Sequence, residues 1–275
     1  MDQFEKGARL RALHERGKLF VIPNPWDAGS ARLLAGMGFE ALATTSAGLA
    51  FGLGVVDGVG LVSRQQCLDN AALIAAATEL PVSADLENGY GDRPEDAAEC
   101  IRLAAAAGVV GGSIEDATGR PDAPIYDFAL AVERVAAAAE AAHALPFPFS
   151  FVARAENYLH GVRDLDDTIR RLQAFEKAGA DVLFAPGLPD LEAIRTVCAS
   201  VDKPVNVVAG AGGVAFPLAE LEAAGVRRVS TGSTLARAAL TGLRDAAAEI
   251  GGSGSFGFLD GLVTGAEVAA VMRAR

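Results

Sequence analysis

Short apolar runs, each followed by an amphipathic or Ala-rich stretch, recur eight times along the chain. The strand-like runs are Lys18–Pro23, Glu40–Ser46, Pro81–Asp85, Val109–Glu115, Pro146–Arg154, Asp181–Ala185, Pro204–Val208 and Arg227–Thr231. They are nearly continuous in apolar residues instead of alternating, the pattern of strands buried on both faces of a parallel sheet. Helices are predicted after them, over Ala28–Met37, Arg64–Leu80, a segment opening at Asp92 or Arg93, Asp127–Ala144, Asp164–Ala178, Asp190–Ala199, Pro217–Ala224 and Thr234–Ile250. Their ends carry the expected signals. Ser63 with Gln66 three residues on spells a capping box, and Pro94 with Glu95 and Asp96 suits a first turn. A charged helix precedes the first strand, and a Gly/Ser-rich hinge, Gly251–Gly257, leads to a last helix over Leu259–Arg273. Ala47–Gly60 reads as a Gly-rich loop and Asp116–Tyr126 as a polar, Pro-rich one. Eight strand–helix units favour an α/β chain folded as a single (β/α)8 barrel over residues 1–275. No GxGxxG follows the first strand, which disfavours an open dinucleotide-binding sheet.

Composition narrows the function classes. A chain of 275 residues buries a large core. Its net charge of −11 argues against nucleic acid or an anionic membrane as partner, both of which want clustered Lys and Arg. Cys67, Cys100 and Cys198 form no CxxC and no metal spacing, and the first two fall in predicted helices as buried thiols. The opening MDQFEKGARLRALHERGK has no apolar leader, and no run reaches the ~18 apolar residues of a membrane span, so a cytoplasmic protein is expected.

The chemistry concentrates in Val82–Asp92, VSADLENGYGD. If the strand runs on, Asp85 and Glu87 sit at i and i+2 and project on one side. Two such carboxylates repel unless a cation or a shared proton neutralises them, and Gly89-Tyr90-Gly91 lets backbone approach whatever is bound. Barrel active sites lie at the C-terminal ends of the strands. There the sequence gathers Ser46, Asp85, Glu87, Glu115, Asp116, Arg154, Glu156 and Asn206, with Asp57 in the loop after strand two. Carboxylates with few imidazoles suit a hard cation, Mg2+ or Mn2+. His14, His143 and His160 lie off the strand ends, which disfavours zinc. Gly210–Gly213 and Gly232-Ser233 give a weak phosphate-loop signal, and Arg227 and Arg228 lie at the wrong end of strand eight to support it.

TTSAGLA (Thr44–Ala50), Asp57, ADLENGYG, SIED (Ser113–Asp116), VARAEN (Val152–Asn157) and GVRRVSTGSTLARAAL (Gly225–Leu240) occur in order over nearly the whole chain. Together they resemble the isocitrate lyase/phosphoenolpyruvate mutase superfamily. The resemblance implies that Asp85 ligates Mg2+ while Asp57, Glu87 and Glu115 hold its waters, Glu87 standing where relatives usually carry Asp. It implies that Thr44, Ser46, Ala47, Gly48 and Asn206 line the substrate pocket, with Ser46, Ala47 and Gly48 binding a carboxylate. Arg154 would pair with a carboxylate or enolate oxygen and, with Glu115 and Asp57, form the catalytic set. The implied reaction is bond cleavage beside an α-oxo or α-hydroxy carboxylate through an enolate. Relatives are dimers or tetramers that exchange their last helices, so a homodimer or homotetramer is expected. The Lys-Lys/Arg-Cys-Gly-His loop of the superfamily's lyases is replaced by ATGRPDAPIYD (Ala117–Asp127), leaving Arg120, Asp122 and Tyr126 as candidate acids. Decarboxylation of an oxaloacetate-like acid suffers least from this replacement. Phosphonate chemistry and a barrel that only binds an oxo-acid are the alternatives.

Overall fold

The computed structural model describes residues 1–210 and 215–273. Eight parallel strands form one sheet: β1 Phe20–Ile22, β2 Leu42–Ala43, β3 Val82–Asp85, β4 Gly111–Glu115, β5 Ser150–Arg154, β6 Val182–Phe184, β7 Val205–Val208 and β8 Arg228–Ser230. From β2 to β8 each strand pairs with its sequence neighbour, and β1 pairs with β8 in the register Phe20↔Arg228. Between β1 and β2 no ladder forms, but Ala43 N–H donates to the Pro23 carbonyl at 3.0 Å. Asn24 spans the same seam. Its Nδ2 donates to the Thr44 carbonyl at 2.7 Å, and its Oδ1 accepts from the N–H groups of Thr231 and Gly232 at 2.8 and 2.9 Å. The result is a nearly closed (β/α)8 barrel.

The helices lie outside: α2 Ala28–Gly36, α3 Ser46–Leu53, α4 Arg64–Ala76, α5 Pro94–Ala106, α6 Phe128–His143, α7 Leu165–Lys177, α8 Leu191–Ala199, α9 Leu218–Ala223 and α10 Thr234–Gly252. Small residues let them pack closely. Cys100, Ile101 and Ala104 of α5 and Ala138, Ala139 and Ala142 of α6 are fully or almost fully buried. The Ser63–Gln66 capping box forms as the sequence implies. The first helix, α1 Gln3–Glu15, covers the N-terminal ends of the strands. Its Leu10 and Leu13 join Phe20, Ile22, Ala43 and Val110 in an apolar floor.

Three expectations need correction. Ala47–Gly60 is not all loop, because α3 occupies its first half, capped by the Thr45 side chain and ended by Gly54 at φ 72°. Reading the stretch by its glycines overlooked Thr45, whose hydroxyl satisfies an otherwise orphan N–H of the first turn. The last helix is also shorter, α11 Gly265–Arg273, because a single 3-10 turn at Gly257–Leu259 and Gly261 at φ 90° interrupt it. The expected hinge is partly helical, since α10 runs to Gly252. α11 packs on α2 of its own chain, where Arg32 donates to the Met272 carbonyl. Among the described residues no helix is long and apolar enough to cross a membrane.

Candidate active site

Arg154, the last residue of β5, is the hub of the strand ends. Its Nη1 donates to Asp85 Oδ1 at 2.9 Å, its Nη2 lies 3.1 Å from Glu115 Oε2, and its Nε donates to Glu156 Oε1 at 2.9 Å. The register Glu115↔Arg154 on adjacent β4 and β5 brings Arg154 and Glu115 together. Asp85 reaches across from the end of β3. Phe184, opposite Arg154 on β6, puts its ring 5.0 Å below the guanidinium. Burial alone would lower the Arg154 pKa, but Glu156, Glu115 and Asp85 outweigh it and hold the group firmly charged.

Asp85 is positioned from three sides. Its N–H donates to Thr44 Oγ1 at 2.9 Å, its Oδ2 accepts from Ser46 N–H at 3.1 Å, and its carbonyl accepts from the Cys67 thiol at 3.4 Å. The chain turns immediately after it. Leu86 is fully buried and Glu87 takes φ 47°, so the strand alternation that would align Asp85 with Glu87 breaks. The two carboxylates consequently open onto different spaces. Asp85 lines a cavity of about 310 Å³ with Thr44, Ser46, Ala47, Asp57, Arg154 and Asn206. Glu87 and Glu115 line a neighbouring cleft with Tyr90 and His160. His160, set aside from sequence as lying off the strand ends, thus lines the same cleft as Glu87 and Glu115. Gly48 does not line the cavity. Its N–H donates to Thr45 Oγ1 at 3.2 Å, and an added Cβ would stand 2.8 Å from that of Trp26.

Five carboxylates, Asp57, Asp85, Glu87, Glu115 and Glu156, surround the single guanidinium of Arg154. Burial first, and neighbouring charges second, shift the titration of Asp57, Glu87, Glu115 and Glu156. Burial, then Asp85 and Asp57, raise Glu87 to about 7. Burial and Asp85 raise Asp57 against the opposing hydrogen bond from Ser46. Burial lifts Glu115 well above its ordinary range despite Arg154, and Glu156 rises for the same reason. Asp57 Oδ1 is buried without a partner. An all-oxygen donor set with surplus charge and an orphaned oxygen fits a hard divalent cation in kind. As placed, no three His, Cys, Asp or Glu side chains among the described residues are grouped to hold a metal ion, and Arg154 holds Asp85 and Glu115.

The loop after β4 holds its candidate acids elsewhere. Arg120 forms an ion pair with Asp92 at 2.8 Å, and Tyr126 donates to the same carboxylate at 2.6 Å, beneath the Arg134 guanidinium 4.4 Å from its ring. Neither lines either space. Asp122, on the same loop, lines neither as well. Asp116 is structural, accepting from Glu156 N–H at 2.7 Å and Arg171 Nη1 at 3.0 Å. Of the weak phosphate-loop signal, Gly212 and Gly213 lie outside the described residues, while Gly210 and Gly232 line the cavity. Sequence reading missed Asn24, Ser83, Ser113 and Arg228, all of which line the cavity. The signal available for Arg228 was its spacing of two from Ser230, which places both on one face of β8.

Residues 10–251 match the family described as "Phosphoenolpyruvate phosphomutase". A crystal structure from Burkholderia cenocepacia J2315, provisionally described as a lyase/mutase, is 57% identical with a TM-score of 0.96, covering 99% of this chain and 97% of that one. The oxaloacetate decarboxylase of Ectopseudomonas mendocina (strain ymp) is 30% identical over 74% of this chain and 70% of its own length. Phosphonopyruvate hydrolase, solved in complex with oxalate and Mg2+, is 25% identical with a TM-score of 0.85, covering 98% and 95% of the two chains. The strand-end acids, the arginine among them and these likenesses agree: the chain belongs to the phosphoenolpyruvate phosphomutase family, within the isocitrate lyase/phosphoenolpyruvate mutase superfamily.

Proposed function

We propose that this protein is a Mg2+-dependent lyase-type enzyme acting on a small α-oxo or α-hydroxy di- or tricarboxylate. It breaks a C–C bond, by decarboxylation or aldol-type cleavage, through an enolate. The observation that carries the reading is Arg154, fixed by Asp85, Glu115 and Glu156 at the wall of a cavity sized for such an acid. Asp85, with Asp57, Glu87 and Glu115, would hold the cation, which supplies Lewis-acid stabilisation of developing negative charge.

The chain's own residues do the rest. Ser46 and Ala47 form the first turn of α3 and face the cavity, where the helix N-terminus favours a substrate carboxylate. Arg154, on the wall of the same cavity, would meet the negative charge that grows as the bond breaks. Asp57 faces the same cavity, its carboxyl pKa raised by burial and by Asp85. Thr44 keeps Asp85 aimed, and Asn206 lines the same wall.

Phosphonate chemistry, as in a mutase or phosphonopyruvate hydrolase, is the second reading, and the family match and the likeness to that hydrolase support it. A Mg2+-supplemented assay for pyruvate or glyoxylate, run against oxaloacetate, isocitrate, 2-methylisocitrate and phosphonopyruvate, separates the two. Pyruvate from oxaloacetate supports the first, consumption of phosphonopyruvate the second, and silence from every substrate removes both. The chain is also expected to associate with copies of itself. α10 buries only Ala236, while Leu243, Phe256, Leu259 and Val263 stand more than half exposed. A monomer by sedimentation at micromolar concentration would contradict this.

A further inference from the structure

The cavity has a second charged end. Arg228 opens β8 near the barrel floor, 4% exposed, and its Nε and Nη1 have no hydrogen-bond partner. Asn206, its register partner on β7, is 1% exposed with Oδ1 unpartnered, and its Nδ2 donates to Ser230 Oγ at 3.1 Å. Ser230 lies two residues beyond Arg228 and therefore on the same inward face. All three line the cavity that begins at Asp85 and Arg154.

One register row joins the two ends: Arg154 pairs with Phe184, Phe184 with Asn206, and Asn206 with Arg228. Because barrel strands tilt, such a row descends as it crosses from strand to strand. It runs here from the rim to the floor. Ser83 and Ser113 line the space between, where many barrels fill the interior with branched apolar side chains. A guanidinium cannot shed its proton as a buried amine does, and a buried charge without a counter-charge is strongly disfavoured. His14, the titratable group on α1 that senses Arg228, is held neutral by its own burial and by that arginine, so it does not compensate.

We propose that Arg228, Asn206 and Ser230 form a carboxylate-binding position at the barrel floor, separate from the rim. The guanidinium fork matches a carboxylate bidentately. Turning the Asn206 amide over would point Nδ2 at the anion while Ser230 donates to Oδ1, a change that costs only a terminal torsion. Two sources would supply the group. One is a free small carboxylate. The other is the far carboxylate of a substrate whose reacting end lies at Arg154, which alone rests on the proposed function.

Melting temperature is the readout, measured without divalent cation and at constant ionic strength, in chloride, acetate and malonate. Wild type is expected to gain stability with carboxylate beyond the chloride control. Arg228→Met should lose at least tenfold in apparent carboxylate affinity while melting no lower than wild type in chloride, since it removes an unpaired charge. Asn206→Asp supplies the counter-charge internally, and should melt higher and respond to no carboxylate. An acetate response that Arg228→Met abolishes and Arg154→Met keeps marks a free anion. A malonate response that either variant abolishes marks one molecule spanning both ends. No carboxylate response in wild type, or an equal response in Arg228→Met, overturns the proposal. Binding that depends on Arg228 in a protein that turns over no oxo-acid would leave this site standing and remove the catalytic reading, and turnover without such binding would do the reverse.

Discussion

The rim of the barrel holds a half-buried arginine and its floor a buried one, and the two have opposite surroundings. At the rim, Arg154 is shared by Asp85, Glu115 and Glu156, each within 3.1 Å. At the floor, Arg228 is almost completely buried and meets no carboxylate. Fold stability explains neither arrangement, because surplus carboxylates and an unpaired guanidinium both cost free energy in a folded chain. On the proposed reading both follow from what they would bind: a cation and an anionic oxygen at the rim, an anion at the floor. Apolar Val152, Val182 and Phe184 separate the two along one wall.

Removing charge at either end sharpens or breaks this contrast. The largest effect is expected at Asp85, which orients Arg154 and would contact the metal. Asp85→Ala should lower kcat/KM on order of 10²–10³-fold or more, as loss of a central electrostatic group does, and a coupled pyruvate assay checks it. Next comes Arg154→Lys. An ammonium cannot reproduce three contacts in one plane, so kcat should fall about 10²-fold with a smaller change in KM, read from initial rates. At the floor, Arg228→Met should cost about tenfold in affinity for a dicarboxylate while kcat at saturation changes little, a KM-against-kcat split opposite to that at the rim.

A pH experiment distinguishes the ends without turnover. Glu87 titrates near 7 in the folded chain, above its ordinary value of 4.5, so between those values the folded state holds the extra proton. Stability contributed by that group is full at low pH and declines as pH rises through about 7. Mg2+ should therefore raise the melting temperature more at pH 8 than at pH 5.5, and an equal shift at both would count against the acid set as its site. The smallest effect is expected under the floor. His14 is pushed down to about 3 by burial and Arg228, so its unfolded form takes a proton first and stability falls as pH drops from 6.5 toward 3. His14→Phe should flatten that acid limb in calorimetry.

The barrel was legible because both periods were strong: buried β-branched runs alternate with capped helices, and neighbours in sequence are neighbours in the sheet. Asp85, Glu115 and Arg154 were legible as strand-terminal charges, a position that barrel topology turns into one rim. What escaped depended on three-dimensional pairing. Arg120 and Tyr126 looked available for acid chemistry until Asp92, from another loop, engaged both. α3 was hidden behind its glycines, because a single threonine cap decides its start. Arg228 looked misplaced at the beginning of its strand, since strand tilt, which sequence does not display, carries its register row to Arg154.

The measurement that bears most directly on this account is Mg2+-dependent release of pyruvate from oxaloacetate, corrected for the metal-only rate, by wild type and Asp85→Ala side by side. The account predicts turnover in wild type that EDTA abolishes and Asp85→Ala lacks. Turnover that survives in Asp85→Ala, or its absence from wild type alongside rapid consumption of phosphonopyruvate, would contradict it.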